Sequence, residues 1–584
     1  MTKQSANALM RNVGIAVLTG TLVFAQLPVA AIAEEASGGQ APQAQDGGTP
    51  PEKPSGEEGT GGQPGEPPSG DAPDGAPGDG QGGQPGSAPG GMGGADTMAF
   101  DYSGSYSGAV TADGESVTAD SATYEATEAD VNAALAQNGG ALALTGVTLT
   151  KSGDDTNGDN CNFYGLNSIL LAVGEGSTAT IQDSALSATS EGSNGIFATD
   201  NATVLAKNVT ISTTAGNSRG LDATYGGTIL AGNATITTQG DHCAGAATDR
   251  GGGNISLEGG AISTAGSGSP LLYSTGDVEV KDVTGTSTGS QIAGMEGLNT
   301  ILIEDSTLES TITSKTASDP VANGVIIYQS TSGDAEASTG ETATFQAVNS
   351  TLKSAIESGS MFYLTNTSAD VVLKNTALDF DSSKAMLLYA AGNDSNSWGS
   401  AGSNGAAVKF TGIQQELAGD VAADTISSID LYLADGTIWT GSAHIEENAA
   451  GSTSEAPITV SVDDNSAWVV TGDSTVSNLN VATGAKVVDA DGKTVTIVAA
   501  GQTVVTGDSS YTITVTGNYS TSFDEASAGA VTTDKIDRSA YDEAFGAGEE
   551  TGNAAGSDTA ASSDSSGGGW FSAIIAWFKG LFGL

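Results

Sequence analysis

The sequence has few basic residues. Its 584 residues include 18 Lys and Arg against 69 Asp and Glu, which gives a formal net charge of −51. Binding of nucleic acid without sequence preference requires Lys and Arg to displace counterions from the phosphates. The shortage of basic side chains therefore argues against any nucleic-acid partner. The excess of carboxylates favours a solvated, self-repelling surface outside the cell.

Cysteine is almost absent. The two cysteines are Cys161 and Cys243. An exported chain would expose them to an oxidising environment, in which they could form a disulfide. Disulfide formation depends on the approach of the two Cβ atoms, so a pair and two separate thiols both remain open. Aromatic residues, at 5%, are also scarce, whereas Gly is abundant, with 83 residues. This composition predicts many turns and few large helices.

Residues 1–33 have the features of a secretory signal peptide. Lys3 and Arg11 precede an apolar run, and the run ends near a small-residue site, Ala31-Ile32-Ala33. A positive start, a short apolar stretch and an A-x-A site are typical of a cleaved signal. An uncleaved membrane anchor is the alternative, and Pro28 argues against it. The sequence therefore predicts export.

Two segments have the composition of disordered linkers. Residues 34–98 are rich in Gly and Pro, and residues 519–569 in Gly, Ser and Asp. Such segments bury too little apolar surface to offset the entropy of ordering. Within the second linker, only a short helix around Lys535 to Phe545 is expected. Both segments are predicted to be flexible spacers.

The last segment, residues 570–584, is a hydrophobic tail. As an α-helix its length would be roughly 22 Å, which is less than the roughly 30 Å of a bilayer core. A short amphipathic helix lying in the membrane interface is therefore expected, with docking onto an envelope partner or an inert tail as alternatives. The residues expected at the membrane or envelope are Trp570, Phe571, Trp577, Phe578 and Phe582.

The middle of the chain contains a repeated phrase: a turn residue, two small residues, and then Leu or Ile. Between Asp183, Asn208, Asn233 and Gly259 the steps are 25, 25 and 26 residues. A period in the twenties with β-type residues indicates one solenoid coil per repeat. The dense leucine consensus of leucine-rich repeats is missing. The fold prediction is therefore all-β: a right-handed parallel β-helix over residues 99–518, with coils of about 22–26 residues and a C-terminal cap.

Equivalent residues of neighbouring coils should stack about 4.8 Å apart. The repeated phrase predicts an internal apolar stack of Leu149, Leu186, Ile211, Ile236 and Ile262. A second repeated phrase, Ala-Thr or Ser-Thr, predicts a ladder of hydroxyl groups at a corner of the coil, formed by Thr199, Thr224, Thr248 and Thr275.

Four phrases carry a family resemblance: residues 160–167, 217–224, 247–253 and 268–275. In these phrases the chain resembles bacterial adhesin-like surface proteins, which have right-handed β-helices of the pectin-lyase type. The resemblance covers about residues 100 to 515. It implies a protein that is secreted to the cell surface or envelope and has no established chemistry, and it implies fold more strongly than function.

The motifs of pectin-acting hydrolases are missing. Such enzymes use paired aspartates, or acidic calcium ligands beside a basic proton acceptor. The adjacent acids Asp154-Asp155 and Asp463-Asp464 have no such neighbours. We therefore expect no catalytic activity.

A polysaccharide lyase is the alternative function. Adjacent coils would bring a group of charged residues to one edge, where the arginines could bind an acidic sugar. Turn salt bridges are the simpler explanation of the same group. The lyase hypothesis rests on Arg219, Asp222, Asp249 and Arg250, with His242 nearby.

No cofactor is expected except, as a weak candidate, Ca²⁺. Carboxylates on turns supply the hard oxygen ligands that calcium prefers, although neither segment has the spacing of a known calcium loop. Ordinary turn chemistry is the alternative. The candidates are Asp154, Asp155 and Asp159 in one segment, and Asp489 and Asp491 in another.

The sequence therefore favours a rigid surface rod that binds an extracellular glycan or a surface protein. Lyase activity and a spacer without a ligand are the other hypotheses. Aromatic rings stack on sugars, and the candidates for such contacts are Tyr225, Tyr273, Tyr328, Tyr363, Tyr389 and Trp398.

Overall fold

The computed structural model describes residues 99–330, 334–335, 342–394 and 398–546. The predicted signal peptide, the predicted first linker, the end of the predicted second linker and the hydrophobic tail with Trp570, Phe571, Trp577, Phe578 and Phe582 lie outside these residues. None of the helices in the described ranges is long and apolar enough to cross a membrane.

The described chain consists of short strands that repeat in a fixed order. In the first part these are β1 (Gly108–Asp113), β2 (Ser116–Asp120), β3 (Thr123–Ala126), β4 (Asn132–Gln137), β5 (Ala141–Thr145), β6 (Thr148–Lys151), α1 (Gly158–Tyr164), β7 (Leu170–Val173), β8 (Thr178–Gln182), β9 (Ala185–Ala188), β10 (Ile196–Thr199), β11 (Thr203–Lys207), β12 (Thr210–Thr213), β13 (Leu221–Ala223), β14 (Gly227–Thr238), β15 (Ala246–Thr248), β16 (Gly253–Thr264), β17 (Leu272–Ser274), β18 (Asp277–Ser287), β19 (Ala293–Glu296), β20 (Thr300–Glu304), β21 (Thr307–Ser310) and β22 (Asn323–Tyr328).

The second part continues the same order and ends in two short helical segments. Its elements are β23 (Ala343–Val348), β24 (Thr351–Ser354), β25 (Ser360–Thr365), β26 (Ser368–Lys374), β27 (Ala377–Asp379), β28 (Met386–Ala390), β29 (Ala407–Ile413), β30 (Glu416–Ala418), β31 (Val421–Asp424), β32 (Ser428–Ala434), β33 (Ile438–Gly441), β34 (Ala443–Glu446), β35 (Ile458–Val462), β36 (Ala467–Val470), β37 (Ser474–Val476), β38 (Asn478–Val481), β39 (Lys486–Asp489), β40 (Thr496–Ala499), β41 (Gln502–Val505), β42 (Thr512–Val515), β43 (Tyr519–Ser520), a 3₁₀ turn (Glu525–Ser527) and α2 (Ser539–Phe545).

The strands stack into long parallel sheets. Within the described residues, sheet A contains 13 strands, one from each successive coil from β1 to β34, and sheet B contains 22 strands that form the rest of the coil wall. Late in the rod, β30, β33, β36 and β39 form a separate sheet C. In sheets A, B and C each strand pairs in parallel with its equivalent in the next coil, as β8 does with β11 and β11 with β14. The prediction of an all-β parallel β-helix is confirmed.

The predicted apolar stack is the core of the coil. Leu149 aligns with Leu186, Leu186 with Ile211, and Ile211 with Ile236, and Ile262 continues the row. All five side chains are at most 2% exposed. Burying one such side chain contributes roughly 1.5–3 kcal/mol, so the stack is a main source of stability.

The turn residue of the repeated phrase adopts a left-handed conformation. Asp183, Asn208 and Asn233 have φ values of 52°, 52° and 53°, where Asn, Asp and Gly are favoured. The amide of Asn208 donates to Asp183, and the amide of Asn233 donates to Asn208, both at 2.9 Å. This ladder explains why the phrase begins with a turn residue.

The predicted hydroxyl ladder is correct at three of its four positions. Thr224 Oγ1 donates to Thr199 Oγ1 at 2.8 Å. The next coil is offset by one residue, because Ala223 rather than Thr224 aligns with Thr248. Thr248 therefore lies on the inward row, and Asp249 takes the corresponding outward position, where its carbonyl accepts the Thr275 hydroxyl at 2.8 Å. The offset brings a carboxylate to the outer face of sheet A.

The rod ends in sheet D, a four-stranded sheet of β37, β42, β40 and β41. The pair β40–β41 is antiparallel and contains a bulge between Ile497 and Val498. Just before this sheet, the buried rings of Trp439 and Trp468 stack at 4.6 Å. A terminal sheet of this kind covers the edge that an open last coil would expose, as a cap must.

The predicted linker at 519–569 is wrong for part of its described length. Residues 529–545, here named the strap, run back along the outer face of sheet B. Gly529 N donates to Thr411 Oγ1 at 2.8 Å, and at the other end Tyr541 is buried against Leu205 and Leu230. The short helix expected near 535–545 is present as α2. The average composition of residues 519–569 gave no indication of the few apolar and basic side chains that attach the strap.

Candidate functional site

Long connections lie over the outer face of sheet A. They are residues 152–169, which include α1, residues 311–322, and the described residues 391–394 and 398–406. Helix α1 begins at the cap Asn157, whose side chain accepts two backbone N–H bonds, and ends at Gly165, with φ 76°. A Cβ at Gly165 would meet Leu171 at 2.5 Å and Phe197 at 2.8 Å, so glycine is required for α1 to pack on sheet A.

These connections enclose a cavity of about 330 Å³. Polar and aromatic side chains from many coils line it, as in ligand sites of other proteins. The lining residues are Asn162, Phe163, Asn217, Arg219, His242, Ala244, Asp249, Gly268, Pro270, Tyr273, Gln291, Gly294, Thr316, Ala317, Ser318, Asp319, Tyr328, Asp334 and Trp398.

One outward row of sheet A contributes Tyr273 and Gly294 to the lining of the cavity. Asp222 aligns with Ala247, Ala247 with Tyr273, and Tyr273 with Gly294. Large and small residues therefore alternate along the row. The small residues Ala247 and Gly294 leave space above the sheet, whereas the preceding positions of the row, Leu171 and Phe197, are covered and buried.

Arg219 is the central cation of the cavity. Its Nη2 lies 2.7 Å from Asp249 Oδ2, and its Nη1 lies 3.6 Å from Asp222 Oδ2. Nη1 also donates to Asn162 Oδ1 at 2.9 Å. Burial raises the pKa of Asp249 to about 6, an effect that the nearby guanidinium only partly offsets. Burial likewise raises the pKa of Asp222. One guanidinium thus serves two buried carboxylates.

Arg250 is directed away from this group. Its guanidinium lies 3.7 Å from the centre of the Phe163 ring, and its Nε lies 2.7 Å from Asp334 Oδ1. Of the residues in the lyase hypothesis, the structure brings Arg219, Asp222 and Asp249 into contact and places His242 on the cavity wall. Both arginines are held by protein carboxylates.

A second group of residues beside the cavity is centred on Glu296, which the sequence did not single out. The hydroxyls of Tyr273 and Tyr328 both donate to Glu296 Oε2, at 2.8 and 3.2 Å, and Ser330 donates to Glu296 Oε1. Trp398 stacks on Tyr328, with ring centres 4.2 Å apart. The aromatic residues were candidates individually. Glu296 follows the buried Met295 in β19, and strand alternation was the signal that could have placed it outward.

Asp319 is a second acid that sequence analysis missed. It is 7% exposed, and its Oδ2 accepts the side-chain amide of Asn323 at 2.8 Å. Burial raises the pKa of Asp319 to about 6, although the amide and the more distant Lys315 act in the opposite direction. Ionised Asp319 is therefore held mainly by a neutral amide.

The calcium candidates take part in turns. Asp154 Oδ1 accepts Glu191 N–H at 3.0 Å. Asp489 Oδ1 accepts the N–H groups of Asp491 and Lys493, both at 2.9 Å, and Asp491 pairs with Lys493 at 2.8 Å. In the residues that the structure describes, no group of three or more His, Cys, Asp or Glu is placed to hold a metal ion. Asp155 and Asp159 belong to no such group either.

The two cysteines are free and buried. Cys243 takes a position that serine occupies in neighbouring coils: its Sγ accepts Ser218 N–H at 3.0 Å, and its own N–H donates to Ser269 Oγ at 2.9 Å. Cys161 lies in α1, and its thiol donates to Gly158 O at 3.1 Å. Burial raises the pKa of both thiols. The candidate disulfide is not formed, and Cys243 takes the place of a serine in the corner ladder.

A group of Ser442, His444 and Asp420 is not arranged as a catalytic triad. Ser442 Oγ donates to Asp420 Oδ1 at 2.7 Å, and it also lies 2.7 Å from His444 Nε2. The carboxylate lies 3.9 Å from the same ring nitrogen. A triad requires the base to accept the serine proton while the acid orients the other nitrogen. Here the serine hydroxyl donates its hydrogen bond to Asp420 rather than to the histidine. The group is therefore a surface hydrogen-bond cluster.

A larger groove of about 760 Å³ lies where the wall changes from sheet B to sheet C. Here the side-chain amide of Gln415 takes the place of ladder bonds: its Oε1 accepts Thr376 N–H at 2.9 Å, and its Nε2 donates to Thr376 O. The groove is lined mainly by amides and hydroxyls, among them Asn349, Asn375, Gln414 and Asn465. It contains no aromatic ring or buried carboxylate, unlike the cavity over sheet A.

The fold and site define a parallel β-helix with a loop-walled cavity on one face. A scan against protein-family models finds no match, and searches of the curated proteins and of the solved structures return no significant similarity.

Proposed function

We propose that the protein is a non-catalytic rod of the cell surface that binds an extracellular glycan in the cavity over sheet A, in the manner of an adhesin. The observation that carries this proposal is the combination in one cavity of aromatic rings, side-chain amides and buried carboxylates. Aromatic rings present apolar faces to sugars, and carboxylates and amides bond to hydroxyl groups.

The proposal favours binding over lyase chemistry because of the arginines. An acidic sugar requires cations that can exchange a protein partner for the ligand. Arg219 is held by Asp222, Asp249 and Asn162, and breaking a buried ion pair leaves uncompensated charge at a cost of roughly 3–5 kcal/mol. A uronic-acid chain would add further negative charge beside these carboxylates.

A spacer without a ligand is the second candidate, and the distribution of loops argues against it. A spacer needs only regular coils. The long connections are instead concentrated over sheet A, where they bring residues of α1 and Trp398 into the lining of one cavity. Ordering such loops costs conformational entropy that a regular turn avoids, so we infer that they serve binding.

Location at the cell surface is part of the proposal and depends on residues outside the described ranges. The signal peptide at 1–33 supports export. The tail at 570–584, with Trp570 and Trp577, supports retention at a membrane interface or by an envelope partner. A net charge of −51 suits a solvated extracellular surface.

A glycan array tests the proposal. The full chain is applied to the array, and bound glycans are then examined for cleavage by ultraviolet absorbance, which unsaturated lyase products raise. We expect binding without cleavage, and we expect Trp398→Ala to abolish it while Gln414→Ala, in the other groove, leaves it unchanged. Cleavage would establish the lyase alternative, and silence of the array would favour a spacer.

A further inference from the structure

The cavity has an excess of buried negative charge. Arg219 is shared by Asp222 and Asp249, so this group keeps a formal charge of −1 when all three are ionised. The pair of Arg250 and Asp334 is neutral overall. Asp319 adds a carboxylate whose hydrogen-bond partner is the neutral amide of Asn323. These groups sum to a formal charge of −2, from −1, 0 and −1, and Lys315, whose charge also acts on Asp319, reduces it to −1. A ligand that enters this cavity therefore meets a net negative charge.

Burial makes this charge costly to the protein. Both Asp249 and Asp319 are less than 9% exposed, and burial raises the pKa of each to about 6. Ionised groups in such surroundings gain much from an opposite charge, since the low dielectric strengthens the attraction. A cationic ligand would supply that charge.

The chemistry of the wall indicates what kind of cation fits. A bare metal ion requires several converging acidic ligands, and no such group is found in the described ranges. The wall instead offers amides and hydroxyls from Asn217, Gln291 and Thr316, and it also includes Tyr328. Side chains of this kind recognise a ring that carries several hydroxyl groups.

Together these features describe a sugar that carries a positive charge. We propose that the cavity over sheet A selects an amino sugar with a free, protonated amino group, placed against the Asp319 carboxylate. The proposal rests on the glycan-binding function proposed above and names the ligand class of the same cavity.

Calorimetry with two matched sugars tests the proposal. The full chain is titrated with a tetramer of β-1,4-linked glucosamine and with the fully N-acetylated tetramer, which has the same rings and linkages but no charge. We expect the amine form to bind at least about tenfold more tightly, and its affinity to fall as salt is added, because salt screens charge attraction. Equal affinities would overturn the proposal.

Two variants locate the recognition. Asp319→Asn keeps the size and the acceptor oxygen of the side chain and removes its charge, so we expect the preference for the amine form to fall to within about twofold. Asp435→Asn, in the groove between sheets B and C, is the matched control and should leave the preference unchanged. A melting curve shows that each variant is folded. The salt dependence of the affinity of the unaltered protein for the amine tetramer is an independent measure of charge attraction.

The remaining outcomes separate this inference from the proposed function. If the array binds a glycan but neither tetramer binds, the amino-sugar inference fails and glycan binding stands. If an oligolysine peptide displaces the amine tetramer at equal concentration, the cavity recognises an amine without a sugar, and the inference fails as well. If the array is silent and no tetramer binds, the proposed function itself fails.

Discussion

The outer faces of sheets A and B belong to the same coils and differ in what covers them. Over sheet B lies the strap, whose Arg538 donates to Ser256 O at 2.8 Å and to Ala231 O at 3.0 Å. Over sheet A lie long loops that leave a cavity with buried acids. On sheet B the cover donates hydrogen bonds to the wall, whereas on sheet A the loops surround an excess of negative charge. Unbalanced burial at one face of a repetitive fold is what marks a site.

Among the variants that test this comparison, we expect the largest effect from Tyr541→Ala, which should detach the strap from sheet B. Tyr541 is 8% exposed and packs on Leu205 and Leu230. Loss of a buried aromatic ring costs about 3–5 kcal/mol, so the strap should open while the coils stay folded. Hydrogen exchange of amides 529–545 measures the opening.

The control for this prediction is Glu543→Ala, an exposed residue of the same helix. It should leave exchange of the strap unchanged. Faster exchange of the sheet B strands in Tyr541→Ala, equal to that of the strap, would mean that the strap is part of the core rather than a separate cover.

On the sheet A side, we expect Asp319→Asn to stabilise the protein at pH 7. The pKa of Asp319 is raised from 3.8 to about 6, so the folded state binds the proton more tightly than the unfolded state. Stability from this group is therefore full below pH 4 and is lost as pH rises to about 6. The loss is about 3 kcal/mol at most, and the asparagine avoids it.

Melting curves of Asp319→Asn and the unaltered protein from pH 3.5 to 7.5 measure this difference. The two curves should coincide near pH 3.5 and separate between pH 4 and 6. Asp464→Asn, on an exposed turn, is the control. A variant that melts lower than the unaltered protein at pH 7 would show that the charge is already compensated, which would also weaken the amino-sugar inference.

The coils and their covers also differ in how much of their structure could be predicted from the sequence. The apolar row from Leu149 to Ile262 and the ladder of Asp183, Asn208 and Asn233 repeat at a nearly fixed step, so the period alone located them. Thr248 shows the limit of that method: a step shorter by one residue moved Asp249 outward. In a strand with period two, such a shift exchanges the inner and outer faces.

The cavity and the strap had no period to reveal them. Asn162 and Trp398 line the same cavity although they are far apart in the sequence. Arg538 likewise bonds to Ser256, which lies 282 positions earlier. Contacts at such separations leave no local pattern. The Gly, Ser and Asp around Arg538 and Tyr541 lowered the average hydrophobicity of that segment, although a few well-placed side chains suffice to hold it.

A smaller effect is expected at the regular corner of sheet B. Asn208→Ala places a residue whose side chain cannot hydrogen-bond at φ 52°, and it removes both the bond to Asp183 and the acceptor of the Asn233 amide. The strain and the two lost bonds together cost about 1–2 kcal/mol, measured by chemical denaturation. Asn208→Gly is the matched variant, because it relieves the strain and loses only the two bonds. If both variants lost the same stability, the ladder bonds rather than the left-handed conformation would explain why this position is Asn.

The smallest effect should come from the end of the strap. Lys207 Nζ donates to Phe545 O at 3.3 Å and lies 5.5 Å from the centre of the Phe545 ring. Cation–π contacts at partly exposed sites contribute about 0.5–1 kcal/mol, so Lys207→Ala should raise exchange at residues 543–545 only and leave the amides near Gly529 unchanged. Lys207→Arg keeps the charge and the donor and should restore protection. If Lys207→Ala raised hydrogen exchange along the whole strap, the attachment of the strap would be cooperative and would start at this end. The strap could then not open in separate steps.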